Sequence, residues 1–203
     1  MKLKSTPHAS NPLKGCALLL NEQEQAWVDQ LQAGQISVME QLIDTYGSRM
    51  KRTAFLMTGD EGVAEDCVQE MFISFYFNIR FFRADASIGT YLYRILMNAC
   101  KQKLRNQWFH KVMPTDELQE YGEKSIEEDA LRRMAIHKVL ARLKPKYREV
   151  LVLYYFNQLT VDEIGLVMNE NSNTIKTRMK RGREQLRPYL EREGFGNGIP
   201  ENV

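Results

Sequence analysis

Apolar residues recur at helical spacing along nearly the whole chain. Val63, Cys67, Val68, Met71, Phe72 and Phe75 fall at i, i+4, i+5, i+8, i+9 and i+12, which draws one stripe down a helix. Ile88, Tyr91, Leu92, Ile95, Leu96 and Ala99 draw a second stripe, and Leu131, Ala135, Val139 and Leu143 a third. Helix-start signals accompany them. Ser37–Glu40, Ser125–Glu128 and Thr160–Glu163 read as capping boxes, with Asn21–Glu24 as a weaker relative. In such a box the hydroxyl caps the first turn while the Glu reaches back to the cap amide. Val150 to Phe156 is the one run that passes for a buried strand. Its helix-compatible neighbours, and the lack of any partner strand, make helix the better reading. The period predicts an all-α chain.

With 203 residues there is room for one medium domain or two small ones. A charged fraction of 27% and a hydrophobic fraction of 43% exclude a wholly disordered chain, a collagen-like fibre and a disulfide-rich miniprotein. No apolar run approaches the roughly 20 residues of a membrane-spanning helix. The stretch Cys16–Leu20, behind Lys2 and Lys4, is too short and too late for a signal peptide. Cys16, Cys67 and Cys100 are odd in number and lack CxxC spacing, which argues against a disulfide framework or zinc site and fits a reducing cytoplasm. Two helical modules emerge, residues 21–107 and 125–191. A flexible acidic linker, residues 108–124, joins them and carries Pro114 and Gly122. Residues 1–20 and 192–203 read as frayed tails.

The charges are segregated. Between Asp85 and Asp116 there is no acidic side chain, and Arg94, Lys101, Lys103, Arg105 and Lys111 fall there with Tyr91, Tyr93, Trp108 and Phe109. The sign then flips through Asp116, Glu117, Glu120, Glu123, Glu127, Glu128 and Asp129. A second basic block follows: Lys176, Arg178, Lys180, Arg181, Arg183 and Arg187. Two basic segments parted by an acidic one suggest a polyanion touched at two places, against the plainer reading of solvated helix faces.

Leu159 to Leu186 has the grammar of a helix-turn-helix. Thr160 caps a short helix with Ile164, Val167 and Met168 inward; Asn169, Glu170 and Asn171 supply the turn, and Ser172 caps the next helix. There Ile175, Met179, Gly182 and Leu186 share one narrow sector facing the core. Asn173, Thr177, Lys180, Arg181 and Glu184 occupy the opposite sector, with Lys176 and Arg183 on one flank and Arg178 on the other. A face of amide, hydroxyl and cationic groups can enter the major groove and read base edges.

In the first module Glu61, Glu65, Asp66 and Glu70 decorate the helix after Asp60, whereas the next helix is basic and aromatic. Asp66 and Glu70 have the i, i+4 spacing of metal-binding carboxylates, but no His or Cys completes a ligand set, and a solvated or protein-binding face is the better reading. Tyr91 belongs by spacing to a buried stripe, so a core role competes with base stacking. Phe81, Phe82, Trp108 and Phe109 lie outside any stripe, and exposed aromatics beside cations are what unpaired bases stack on.

The run AEDCVQEMF (Ala64–Phe72), then FRADASIGTYLYRILMN (Phe82–Asn98), then LKPKYREVLVLYYFNQLTVDEIG (Leu143–Gly165) and NTIKTRMKRGREQL (Asn173–Leu186), resembles an RNA polymerase sigma factor of the extracytoplasmic-function group. The likeness spans roughly residues 35–190, and its motifs come in the right order. It implies a dissociable, non-catalytic subunit with no cofactor or small-molecule substrate, which recognises promoters and starts transcription. Asp66, Gln69 and Glu70 would dock on the clamp helices of the polymerase beta-prime subunit, with the beta flap as a further contact. Phe82, Arg83, Asp85, Ser87, Tyr91, Arg94, Asn98 and Lys101 would capture and melt the minus-10 element of promoter DNA. Extruding a base costs a few kcal/mol, which a fitted pocket and stacking must recover. Asn173, Thr174, Lys176, Thr177, Arg178, Lys180, Arg181 and Arg183 would read the minus-35 element. The acidic linker would thread into the polymerase cleft, and a membrane-tethered anti-sigma factor is a further implied partner. The sequence departs from the group's pattern at Tyr91, where Trp is usual, in the turn Asn169–Glu170–Asn171, which lacks Gly or Pro, and at Asn173, where Gly is common.

A free-standing helix-turn-helix repressor or activator is the alternative. It accounts for the C-terminal module but not for an acidic docking helix or a melting loop, and co-purification with core polymerase separates the two. A metal-dependent nuclease using Asp66, Glu70 and Asp85 would require clustered carboxylates facing a cleft.

Overall fold

The computed structural model describes residues 20–111 and 128–192, with side chains over 20–106 and 133–189. Residues 112–124 of the expected acidic linker, and the expected tails apart from residues 20 and 192, lie outside them. Among the described residues every regular element is helical: α1 (Glu22–Gln32), α2 (Val38–Thr58), α3 (Glu61–Asn78), a 3-10 turn (Ile79–Phe81), α4 (Ile88–Lys111), α5 (Glu128–Leu140), α6 (Pro145–Leu151), a π turn (Val152–Phe156), α7 (Val161–Met168) and α8 (Ser172–Arg192). None of these helices is long and apolar enough to cross a membrane.

Local chemistry sets the helix starts. Asn21 accepts from the Glu24 amide (2.8 Å) and receives the Glu24 carboxylate on its own N–H (3.2 Å), a complete capping box. Glu24 is buried, and the Tyr46 hydroxyl (3.0 Å) and the Ile88 amide (3.1 Å) both donate to its Oε1. One carboxylate thus ties α1 to α2 and to the start of α4. The Thr160–Glu163 box also forms. The Ser37 box does not: Ser37 already has helical backbone angles, and its hydroxyl caps nothing. Ser125 lies outside the described residues. Asp60 caps α3 through the Val63 amide (2.7 Å), and Ser87 caps α4 through the Thr90 amide (3.1 Å).

In the first module α2, α3 and α4 pack side by side, and α1 lies against α2 and the 3-10 turn. Cys67, Met71, Phe72 and Phe75 of the first stripe are buried with Leu92 and Leu96 of the second, and Tyr91 and Ile95 are half-buried at its edge. Burial of each large apolar side chain contributes about 1.5–3 kcal/mol, so these stripes fix how α3 and α4 turn toward each other. The third stripe holds only in part. Leu143 is buried as expected, but Ala135 is exposed and Val139 half-buried, with Leu140 inside instead, because α5 must face both α2 and α8; the Leu131 side chain lies outside the described ones.

Pro145 opens α6, where its missing N–H costs nothing. The run Val150–Phe156 is helical, as its neighbours implied, but widens into a π turn from Val152. The modules also pack on one another, α2 against α5 and the π turn, and α4 against α7. Helix α4 continues to Lys111, past the boundary expected at residue 107.

Candidate nucleic-acid and partner interfaces

The turn between α7 and α8 is built on backbone. Asn169 takes left-handed angles (φ +54°), and the amides of Asn169 and Glu170 both reach the Gly165 carbonyl. A Cβ on Gly165 would stand 2.8 Å from the Glu170 carbonyl oxygen, so the turn closes against a residue without a side chain. The expected cap of α8 shifts by one residue. Asn171 Oδ1 accepts from the Thr174 amide (2.8 Å), while the Ser172 hydroxyl donates to Asp162 Oδ1 (2.5 Å) and joins the two helices.

Ile175, Met179, Gly182 and Leu186 turn inward, as their spacing predicted. A Cβ on Gly182 would meet Leu151 at 3.1 Å, so α6 and α8 are close there. Asn173, Lys176, Thr177, Lys180 and Arg181 are exposed, and Thr174 is half-buried. A cleft of about 480 Å³ is lined by Asn171, Asn173, Thr177, Arg178 and Arg181 of this segment and by Lys146 of α6. Two flank positions differ from expectation. Arg178 is ion-paired to Glu170 (2.5 Å) and only 21% exposed, so it is tied to the turn. Arg183 is half-buried, and its Nη1 is shut away without a hydrogen-bond partner among the described residues.

On the first module Asp66, Gln69 and Glu70 are all exposed on α3. Lys103 of α4 bridges Asp66 (3.4 Å) and Glu70 (2.7 Å), and the Glu70 contact raises the lysine's pKa. No group of three His, Cys, Asp or Glu side chains among the described residues stands close enough to hold a metal ion. The same outer face continues into Ile73 (57% exposed) and Phe77 (67% exposed). Arg83 and Asp85 are exposed in the loop before α4, and Arg94 and Asn98 on the helix itself. Tyr91 stands between Phe82 (5.1 Å) and Phe75 (6.0 Å), half-buried, with its ring engaged inside the protein. The Ser87 hydroxyl is used as a helix cap.

Lys101 does not project freely from the basic helix. Its ammonium pairs at 3.0 Å with Glu149 of the second module, whose carboxylate is buried; burial raises the Glu149 pKa against the pull of Lys101. Around this pair the modules are stitched by polar contacts. Asn157 Oδ1 accepts from the Thr53 hydroxyl (2.9 Å) and the Tyr93 hydroxyl (2.7 Å), while its Nδ2 donates to the Val152 carbonyl (3.2 Å). Burial pushes the Tyr93 phenol up to about 12. Arg148 donates to the Met57 carbonyl (2.8 Å) at the end of α2 and to Leu140 and Ala141 (both 3.1 Å) at the end of α5. A cation there complements both helix C-termini. His137 Nδ1 lies 3.1 Å from the Leu56 carbonyl, and burial lowers its pKa.

Sequence reasoning did not single out Ile73, Phe77, Lys146, Glu149 or Asn157. Ile73 and Phe77 were detectable as apolar residues off the buried stripe of their helix. Glu149 and Asn157 carry no local signal, because their partners come from the other module.

Two family models match the chain, sigma-70 region 2 over residues 42–110 and sigma-70 region 4 over residues 133–186. The chain is 32% identical over 176 residues to the ECF RNA polymerase sigma factor SigW of Bacillus subtilis, covering 80% of this chain and 94% of that protein. It is 29% identical over 187 residues to the RNA polymerase sigma-H factor of Pseudomonas aeruginosa, covering 86% of this chain and 97% of the relative. Among solved structures, CnrH in complex with the cytosolic domain of CnrY aligns at a TM-score of 0.68 and 19% identity, over 84% of this chain and 98% of that one. RpoE in complex with the anti-sigma factor NepR from Bartonella quintana aligns at 0.61 and 18%, over 75% and 96%. At these identities the two structures speak for the fold.

Proposed function

The chain belongs to the extracytoplasmic-function sigma factors of the sigma-70 family, subunits that direct transcription initiation, and from that premise we propose how its surfaces divide the work. Sigma factors are regulatory subunits without catalysis of their own, so RNA synthesis stays with the polymerase they join.

The outer face of α3 docks on core polymerase. Asp66, Gln69 and Glu70 offer charge and amide, and the adjoining exposed Ile73 and Phe77 supply the apolar centre that a protein interface needs. The beta-prime clamp helices are the surface it meets, and the beta flap receives the second module. The loop before α4, with Phe82, Arg83 and Asp85, and the α4 face carrying Arg94 and Asn98 take the minus-10 element. Ser87 shapes that loop from its capping position, and Tyr91 backs it from the aromatic cluster. The outer face of α8 reads the minus-35 element: Thr177 and Arg181, one turn apart, reach successive base edges, and Lys176, Lys180 and Lys146 lie alongside for bases or phosphates. An anti-sigma factor in the cytoplasm is the partner that withholds the subunit, in keeping with the partner proteins in the two similar solved structures.

The single observation that carries this division is the sidedness of α8, with Ile175 and Met179 buried, Thr177, Lys180 and Arg181 exposed, and Thr177 and Arg181 lining a cleft. Its test is run-off transcription with core polymerase on templates with intact or scrambled minus-35 elements, and with paired or mismatched minus-10 elements. Arg181→Ala should reduce the advantage of an intact minus-35 element, and Asp85→Ala should fail on paired templates far more than on mismatched ones. Equal losses on all four templates would remove the assignment.

A further inference from the structure

The loop that carries Phe82, Arg83 and Asp85 holds a conformation the chain does not adopt freely. Ala84, between the two exposed charges, takes left-handed angles (φ +55°), which cost free energy for any residue with a Cβ. Such a turn persists where its flanks are fixed, and α1 fixes both. On the entering side Gln32 Nε2 donates to the Ile79 carbonyl (3.2 Å), the same oxygen that accepts the Phe82 amide (3.0 Å) as the chain leaves the 3-10 turn. On the leaving side the buried Glu24 carboxylate accepts the amide of Ile88 (3.1 Å), the first residue of α4. About 12 Å of helix, at 1.5 Å per residue, separates Glu24 from Gln32. A rigid spacer thus stands between the two ends of one loop.

Glu24 is itself held in place. Its Oε1 also takes the Tyr46 hydroxyl proton (3.0 Å), and its Oε2 the Asn21 amide (3.2 Å). Burial, together with the neighbouring Glu24 carboxylate, raises the pKa of the Tyr46 phenol, so it stays a donor. A Cβ on Gly89 would stand 3.3 Å from Cε1 of Tyr46, so this ring closes against the first turn of α4. We infer that α1 is a splint for the minus-10 loop, with Glu24 and Gln32 as positioning residues that fix its two ends before DNA arrives. The inference rests on the reading of that loop as the one that captures the minus-10 element. A pocket formed in advance offsets the cost of unstacking a base at once, whereas a loop that must order at the same moment adds its own ordering to the barrier.

The test uses the full chain with core polymerase and follows strand opening by permanganate reactivity of minus-10 thymines, on templates paired or mismatched there. Gln32→Ala and Glu24→Met should each slow opening of the paired template about tenfold, the scale of one lost hydrogen bond. On the mismatched template, where the base is already unpaired, the loss should stay under about twofold. Affinity for core polymerase should not change. Glu24→Gln keeps an oxygen for the Ile88 amide and should open paired templates within about twofold of wild type, although Met is as long, which separates the acceptor from the packing. Gln32 is exposed, so Gln32→Ala decides the matter should Glu24→Met fail to fold. Equal losses on both templates would make α1 a plain structural element and overturn the inference, as would wild-type opening at either position, since a splint needs both ends. Asp85→Ala is measured alongside. If it slows both templates alike, the loop is not the melting element; if it fails selectively while Gln32→Ala opens normally, the splint alone is refuted.

Discussion

Alanine at position 59 separates two costs that a single measurement would merge. Gly59 ends α2 with φ +79°, its amide donating to the Phe55 carbonyl at 2.8 Å. A side chain in that left-handed conformation costs about 1–2 kcal/mol on any backbone. Here the new Cβ would also stand 2.2 Å from Nε2 of His137 and 2.7 Å from Cε1, so the imidazole must leave. Its departure loses the bond between Nδ1 and the Leu56 carbonyl, worth about 0.5–1.5 kcal/mol net. It also loses the tilted packing on Phe55 (centroids 5.7 Å), worth a similar about 0.5–1.5 kcal/mol. Gly59→Ala should therefore cost about 2–5 kcal/mol in the native protein, of which about 1–3 kcal/mol belongs to the ring. In a His137→Ala background only the backbone share should remain. The assay is a double-mutant cycle on urea unfolding midpoints, followed by circular dichroism, with a coupling of about 1–3 kcal/mol expected. Additivity within about 0.5 kcal/mol would mean that His137 does not lie over Gly59, and the packing of α5 on α2 would have to be withdrawn.

Charge reversal at Asp66 and Glu70 should lower co-purification with core polymerase at least about tenfold, while the lost pairing with Lys103 costs under about 1 kcal/mol of stability; unchanged co-purification would move the docking face elsewhere. Glu149→Gln addresses the buried carboxylate, for which burial outweighs Lys101 and raises the pKa above its ordinary 4.5. Between those two values the folded chain binds more protons than the unfolded one, so wild-type stability falls as pH rises through that window. The amide should abolish that slope in thermal melts without lowering stability at neutral pH, and a retained slope would assign it to another group. Arg181→Ala should cost about 1–3 kcal/mol at one position of the minus-35 element. Arg178→Ala should weaken all promoters alike, whereas Glu170→Gln should not, because it spares that guanidinium the cost of leaving its carboxylate. A changed sequence preference in either of the last two, read across a library of minus-35 variants, would reverse the assignment of helix faces.

The helical stripes of α3, α4 and α8 were legible because each helix buries one continuous face against its own module. Cys67, Met71 and Phe75 repeat with the helical period, and the structure buries all three. The stripe on α5 misled at Ala135 and Val139 for a physical reason: that helix is shared between α2 and α8, so Leu140, off the expected stripe, is the residue that turns inside. Caps divided similarly. Asn21 succeeds beyond its weak propensity because Tyr46 and the Ile88 amide hold the returning Glu24 carboxylate in place. The stronger-looking Ser37 signal fails because the chain is already helical when it reaches that residue. Local grammar proposes a helix start, and tertiary contacts decide whether it is used.

The same distinction governs the candidate surfaces. Lys101, Arg178 and Arg181 look alike in the sequence, each a cation on a basic amphipathic helix. In the structure one is drawn to Glu149 of the other module, one to Glu170 of the neighbouring turn, and only Arg181 has no ion pair among the described residues. A cation held by a carboxylate must exchange that partner before it can neutralise a phosphate, so part of its binding free energy goes to breaking the pair. Arg181 carries no such debt and stands at the cleft, where Thr177 and Asn173 supply the hydrogen-bonding groups of a base-reading face. The position of a charge along a helix was therefore readable from spacing. Its availability was not, since that depends on acidic residues which only the folded chain brings near.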